Sequence, residues 1–183
     1  MRMNNFVLFA APALIWGSTW FVITFQLGKV DPLISVVYRY LLADTLLLAY
    51  CLIRKVELKF SLKDHFFMAV QGFFLFGVNY WLVYESEQYI ASGIVAVAFS
   101  TMIFMNSGFG SLFLGRPINK KVLIAAMSGL SGTVLIFWNE LSQIDMSGDV
   151  LKGIILAISS VILASLGNIT SARNSQEKIP VLQ

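Results

Sequence analysis

Arg39 and Asp44 stand inside an otherwise apolar stretch, and they are the two most chemically demanding residues of the chain. A charge at membrane depth is costly, so each needs a partner or a function. Five positions on a helix turn through about 140°, so the two do not share a face. Arg39 lies about two turns inside its stretch. There it suits a structural tie to a neighbouring helix or to backbone carbonyls, with partial snorkelling. Asp44 lies nearer mid-depth and fits either a proton-coupling carboxylate or a protonated, hydrogen-bonded packing residue.

A second group is aromatic and small-polar. Trp16-Gly17-Ser18-Thr19-Trp20 occupies the middle of the first apolar stretch, whereas tryptophan ordinarily sits at membrane interfaces. Trp16 and Trp20 are one turn apart and either wall a cavity or pack on neighbouring helices. Gln71, Asn79, Tyr80 and Tyr84 follow in the third stretch. The fourth carries Ser100, Thr101, Asn106 and Ser107 among many small residues. Such helices approach neighbours closely or line wet cavities. Ala125, Gly129 and Thr133 in the fifth read as a packing face first and a site second.

One cysteine (Cys51) and one histidine (His65) exclude a His/Cys metal cluster within one chain. No metal and no cofactor is expected. A Ser/His hydrolase would depend on His65, which lies in a charged loop. Paired catalytic carboxylates at membrane depth are also missing, so the chain does not read as an enzyme.

These residues are positioned by an unusually apolar chain. Of 183 residues, 57% are hydrophobic and 13% charged, and mean hydropathy is +0.77. Soluble domains are about a quarter charged. Six stretches approach the ~20 apolar residues that a crossing helix needs: 6–26, 33–53, 66–84, 90–114, 122–138 and 150–170. Helices are required, because an open sheet leaves backbone groups unpaired in lipid. Arg2 and Ala11-Pro12-Ala13 resemble a signal peptide, but the apolar run continues to Phe25 and suits a span better.

Charge placement orients the spans. Arg2, Arg54, Lys55, Lys59, Lys63, Arg116, Lys120, Lys121, Arg173 and Lys178 fall on one face, which sums to +7 after Glu57, Asp64 and Glu177. The other face sums to −4, with Lys29 and Lys152 against Asp31, Glu85, Glu87, Glu140, Asp145 and Asp149. Basic loops mark the cytoplasmic side, so the N-terminus is expected there. The basic pI of about 9.1 is then an orientation signal and not a nucleic-acid footprint. The expected fold is all-α and polytopic, with six transmembrane helices.

The chain resembles an EamA-type member of the drug/metabolite transporter superfamily. The resemblance rests on several fragments in order. They are Trp16-Gly17-Ser18-Thr19-Trp20-Phe21, Asp31-Pro32 with Tyr38-Arg39-Tyr40, and Ala91-Ser92-Gly93. Leu112-Phe113-Leu114-Gly115 and Gly129-Leu130-Ser131-Gly132 with Leu135-Ile136 complete them. Two departures concern the subfamily: Arg116 stands where the family usually has glutamate, and the fourth stretch lacks a proline around 103–106.

The resemblance implies ten helices in two inverted five-helix repeats. Residues 1–138 would be the first repeat, and 139–183 an outer loop plus the first helix of a second. About four more helices would then follow Gln183, or a homodimer partner would supply them. Inverted repeats place a solute site near the midplane and work by alternating access. The implied function is an inner-membrane exporter of small organic solutes, such as amino acids or related metabolites. Expected solute contacts are Trp16, Ser18, Asn79, Tyr80, Ser100 and Asn106, in a cavity lined by spans one, three, four and six. Arg39 and Asp44 are expected to be structural or coupling residues. The partners are a small-molecule solute and the lipid bilayer, with no nucleic acid. The alternatives are a passive channel and a non-transporting membrane subunit that needs a partner.

Overall fold

In a computed structural model, which describes residues 4–25, 30–145 and 148–179, the chain is 82% helix and shows no strand among those residues. The elements are α1 (Asn5–Thr24), α2 (Pro32–Ile53), α3 (Leu62–Gly72), a π-helical segment (Phe73–Val78) and α4 (Asn79–Ser86). Then come α5 (Ser92–Ser100), α6 (Met102–Leu114), α7 (Lys120–Ile136), α8 (Trp138–Ser142) and α9 (Gly148–Gln176).

Local chemistry sets the helix starts. A first-turn N–H has no helical partner and is capped by a side-chain oxygen. The side-chain oxygens of Asn4, Asp31 and Asn119 accept from Phe6, Leu33 and Lys121 at 3.0, 2.8 and 3.0 Å. Pro32 follows Asp31 at the first helical position, where its missing N–H costs nothing. Ser61 accepts from the Asp64 N–H at 3.1 Å and donates to its carboxylate at 2.6 Å. At the other end of α6, Gly115 turns left-handed with φ 62°, and the Arg116 N–H reaches back to the Gly110 carbonyl at 3.1 Å.

Among the described residues, five helices are long and apolar enough to cross a membrane: Phe6–Ile23, Pro32–Ile53, Leu62–Ser86, Ser92–Leu114 and Gly148–Gln176. The fifth expected stretch, 122–138, forms α7, which has 17 residues and is not among the five. It stops because Phe137 leaves helical geometry at φ −100°, ψ 22°. The spans at 62–86 and 148–176 are longer than the sequence suggested.

Two of the crossings are not plain α-helix. The third changes to π geometry between Gly72 and Asn79. The fourth breaks at Thr101 without any proline. There the hydroxyls of Ser100 and Thr101 donate to the carbonyls of Val97 and Ala98, both at 2.6 Å. Back-bonding hydroxyls that compete for helix carbonyls bend a helix in this way.

α9 is the hub. Its buried side is Gly153, Ala157, Ser160, Val161, Ala164, Ser165, Gly167 and Asn174, a stripe at helical spacing. It packs on α3, the π segment, α4, α5 and α6. Small residues let backbones close: an added Cβ at Gly167 would stand 2.9 Å from the Leu75 backbone nitrogen. One at Gly153 would stand 2.9 Å from Ile90 and Tyr89 side chains. Ile23, Val36, Val83, Tyr84, Ile90, Val95 and Ala157 form a core between α1, α2, α4, α5 and α9. The outer faces of α1 and α2 are rows of exposed Leu, Ile and Phe, as lipid-facing helices are.

Candidate functional site

The break at Thr101 and the small residues of α7 open a groove between them. It has a volume of about 540 Å³, and Phe99, Ser100, Ile103 and Asn106 face Ala125, Ala126, Gly129 and Thr133 across it. A second cavity of about 390 Å³ lies among α6, α7 and α9, lined by Asn106, Ser107, Arg116, Asn119, Asn168 and Ala172. Ile103, Asn106 and Val122 line both. Asn106 is therefore the polar group at the junction. Its Oδ1 accepts from the Ser165 hydroxyl of α9 at 2.7 Å, which fixes the amide.

The remaining polar groups are few. Asn168 donates to the Met102 sulfur at 3.3 Å. Ser100, Ser107 and Thr133 donate to carbonyls of their own helices, which leaves each hydroxyl oxygen able to accept. Arg116 brings a guanidinium to the wall of the second cavity, at the 115–119 loop. An apolar cleft of this size with sparse oriented polar groups suits a small amphipathic solute.

A second constellation joins α2 to the third crossing. The Arg39 guanidinium carbon lies 4.9 Å from the Tyr80 ring centre and 5.8 Å from that of Tyr40. The two tyrosine rings meet edge-on at 5.5 Å, and Phe76 lies 5.8 Å from Tyr40. Such cation–π contacts strengthen where water is excluded. Just beside it Asn79 is 3% exposed. Its Nδ2 donates to the Leu75 carbonyl at 3.1 Å, and its Oδ1 has no partner among the described residues.

Of the six expected solute contacts, the chain brings together Ser100 and Asn106. Asn79 and Tyr80 lie together on α4, outside the groove. Trp16 is 59% exposed, and Ser18 is exposed on the same helix with its hydroxyl on the Ile15 carbonyl at 3.0 Å. The side chain of Trp20 lies outside the described residues. Asp44 is exposed on α2 with no ion pair or hydrogen bond among the described residues. The groove is thus walled by α5, α6 and α7, and α9 lines only the second cavity.

Sequence reading missed a polar lock at the far end of α9. Asn174, 4% exposed, donates to Gln71 at 2.9 Å. Arg173 lies 3.7 Å from the Phe67 ring centre. Gln71 in an apolar run was the available signal; nothing in the sequence paired it with Asn174.

A profile of the EamA-like transporter family matches residues 4–138. The chain is 32% identical over 149 residues to the "Uncharacterized inner membrane transporter YedA" of Escherichia coli K12, covering 81% of this chain and 47% of that protein. It is 27% identical over 130 residues to "Protein PagO" of Salmonella typhimurium, covering 71% and 41% respectively. To "Protein PecM" of Dickeya dadantii it is 27% identical over 136 residues, covering 74% and 43%. The chain thus spans about half the length of the curated relatives it matches. No solved structure matches it.

Proposed function

The chain belongs to the EamA-like transporter family, and on that premise we propose that it serves an inner-membrane exporter of small organic solutes, amino acids or related metabolites, by alternating access. The observation that carries the reading is Asn106, fixed by Ser165 at the junction of two open cavities. A hinge of broken helix runs beside it at Thr101. Rocking of α7 and α9 about that break alternately widens one cavity and narrows the other. Residues 1–138 act as the first repeat, and α9 opens a second of inverted orientation. The N-terminus and the 54–61 and 115–119 loops, with the basic residues in and beside them, face the cytoplasm.

In this reading the groove takes the apolar body of the solute, and Asn106 with Ser100 orients its polar end. Arg116 at the cytoplasmic mouth favours solutes that carry a carboxylate. Asn79 and Tyr80 meet the solute from the third crossing in the other state, and Trp16 and Ser18 from α1. Arg39 ties α2 to Tyr80.

The test is export from cells loaded with dipeptides, with released amino acids measured by mass spectrometry on the full native product. Losing one oriented hydrogen bond costs about 1–1.5 kcal/mol. Asn106→Leu is therefore expected to lower saturable export about tenfold at equal membrane abundance. Wild-type export in that variant removes Asn106 from the site. Export that rises linearly with solute, in the wild type, removes alternating access and points to a pore.

A further inference from the structure

Glu87 lies in the turn between α4 and α5, outside both crossing helices. Despite that place it is 8% exposed, and neither carboxylate oxygen has a hydrogen-bond partner among the described residues. The turn is tightly closed. Glu87 N–H donates to the Val83 carbonyl, and Tyr89 and Ile90 both donate to Ser86. Ser86 is fully buried, and Val83, Tyr84 and Ile90 belong to the apolar core. Gly153 of α9 presses against Tyr89 and Ile90 from the other side.

No charge on the surrounding elements answers this carboxyl. α1 and α5 carry no charged side chain. α2 carries Arg39, Tyr40 and Asp44, with Asp31 at its N-cap; α4 carries Tyr80, Tyr84 and Glu85, the turn itself Tyr89, and α9 Asp149 and Lys152. Arg39 is engaged with Tyr80 and Tyr40, Glu85 with Gln88, and Lys152 with Tyr89. None of them meets a Glu87 oxygen. A carboxylate in such a place, with only the nearby Ser92 hydroxyl to offset it, pays most of its loss of hydration. The closed turn therefore holds the proton to higher pH than a hydrated glutamate does.

We propose that Glu87 is a proton-binding site linked to opening of the α4–α5 turn, holding its proton more tightly while the turn is closed than once water reaches it. On opening, the carboxyl O–H passes its proton to entering water, and the carboxylate is hydrated. Closing requires the reverse. The consequence for transport rests on the reading above: a turn at one end of the solute path that opens as it releases a proton makes solute movement depend on pH.

The sign follows from the two states. Burial pushes the Glu87 carboxyl from its ordinary 4.5 up to about 7, and the neighbouring Ser92 offsets only part of this. Below 4.5 both states carry the proton and pH has no effect. Between 4.5 and 7 the closed turn holds a proton that the open one has lost, so rising pH favours opening. Above 7 the preference levels off. With these two values the opening constant rises roughly thirtyfold from about pH 5.5 to about pH 8.5.

The test needs no solute. The full native protein is placed in lipid nanodiscs. Infrared difference spectra between the two pH values read the carboxyl stretch, and hydrogen exchange reads the protection of the turn. Each is compared with Glu87→Gln at the same pH, and with Glu87→Leu should the first variant fold poorly. The expected result is one carboxyl band lost near neutral pH, absent from both variants. Protection of the turn should fall roughly thirtyfold more in the wild type than in the variants. An unchanged band in the variants, or parallel exchange in wild type and variants, overturns the proposal. So does a pH midpoint that shifts with sodium at constant ionic strength, which would mark a metal-cation site instead. Absence of export in the dipeptide assay would leave this proton site standing, and absence of the band would leave the exporter standing.

Discussion

At the scale of single residues, burial and partnership separate groups that look equivalent in the sequence. Asp44 was the carboxylate singled out at membrane depth, yet it is exposed on α2 and unpartnered among the described residues. Glu87, in a loop, is buried and bare. Nothing in sequence marks a loop glutamate as buried, because that burial comes from α9 closing over the turn. Among the described residues, Asn79 is the other one with an unsatisfied buried side-chain atom. Its Nδ2 is spent on the Leu75 carbonyl, while its Oδ1 remains an acceptor for a donor from outside the chain. Buried polar atoms are rarely left so without a functional reason. Asn79→Leu is accordingly expected to reduce export about tenfold or more, the size of one oriented hydrogen bond, with membrane abundance unchanged. Export at the wild-type level in that variant would make Asn79 a packing residue. Arg39 is different, since its charge is already answered by the Tyr80 and Tyr40 rings.

At the scale of elements, glycines tell which helix faces are packed and which are open. The sequence showed α7 with small residues at 125, 129 and 133 and suggested a packing face. In the fold an added Cβ at Gly129 or Gly132 meets nothing within 4 Å, and Gly129 lines the groove. Gly167 of α9 is the packed one, against the backbone of Leu75 at the π segment. Gly129→Ala should therefore be neutral or stabilising by up to about 1 kcal/mol, the helix-propensity gain. Gly167→Ala gains the same propensity but drives a methyl into backbone, which overpacking data put at about 1–3 kcal/mol. A lower thermal midpoint in lipid for Gly167→Ala, beside an unchanged or higher one for Gly129→Ala, checks both. Equal midpoints would mean that α9 does not press on the π segment. The caps at Asn4, Asp31, Ser61 and Asn119 are local bonds, yet hydropathy alone started the third stretch at 66, four residues past the α3 start. The break at Thr101 was not legible, because a serine or threonine hydroxyl has several carbonyls within reach and only tertiary strain selects one. The π segment likewise depends on α9 seating on Leu75. The groove was half legible: Ser100 and Asn106 stood out as polar residues in a span. Their partner wall on α7, and the Ser165 that fixes Asn106, are meetings of distant segments.

At the scale of the whole molecule, contacts between helix ends decide how many times the chain is expected to cross. α9 begins beside the 87–91 turn, through Gly153 against Tyr89 and Ile90. It ends beside the start of the third crossing, through Asn174 against Phe67 and Gln71. α7 begins near the second cavity, whose lining joins Asn119 and Arg116 to Ala172 of α9. It ends where Phe137 abuts Gly93 at the start of α5. Its 17 residues span about 26 Å, a little short of the ~30 Å hydrocarbon core. A mismatch of that size is absorbed by local thinning at a fraction of a kcal/mol per Å. So α7 is expected to cross as a sixth span, carrying the chain from the 115–119 loop to the end that holds the 87–91 turn. Single cysteines at Lys59, Gln143 and Gln176, in a Cys51→Ala background, read this directly. A maleimide that cannot pass the membrane should label Lys59→Cys and Gln176→Cys only after the cells are opened, and Gln143→Cys on intact cells. Labelling of Gln176→Cys on intact cells, with Gln143→Cys protected, would instead mean five crossings. The groove beside α7 would then face the cytoplasm throughout, and alternating access through Asn106 would be lost with it.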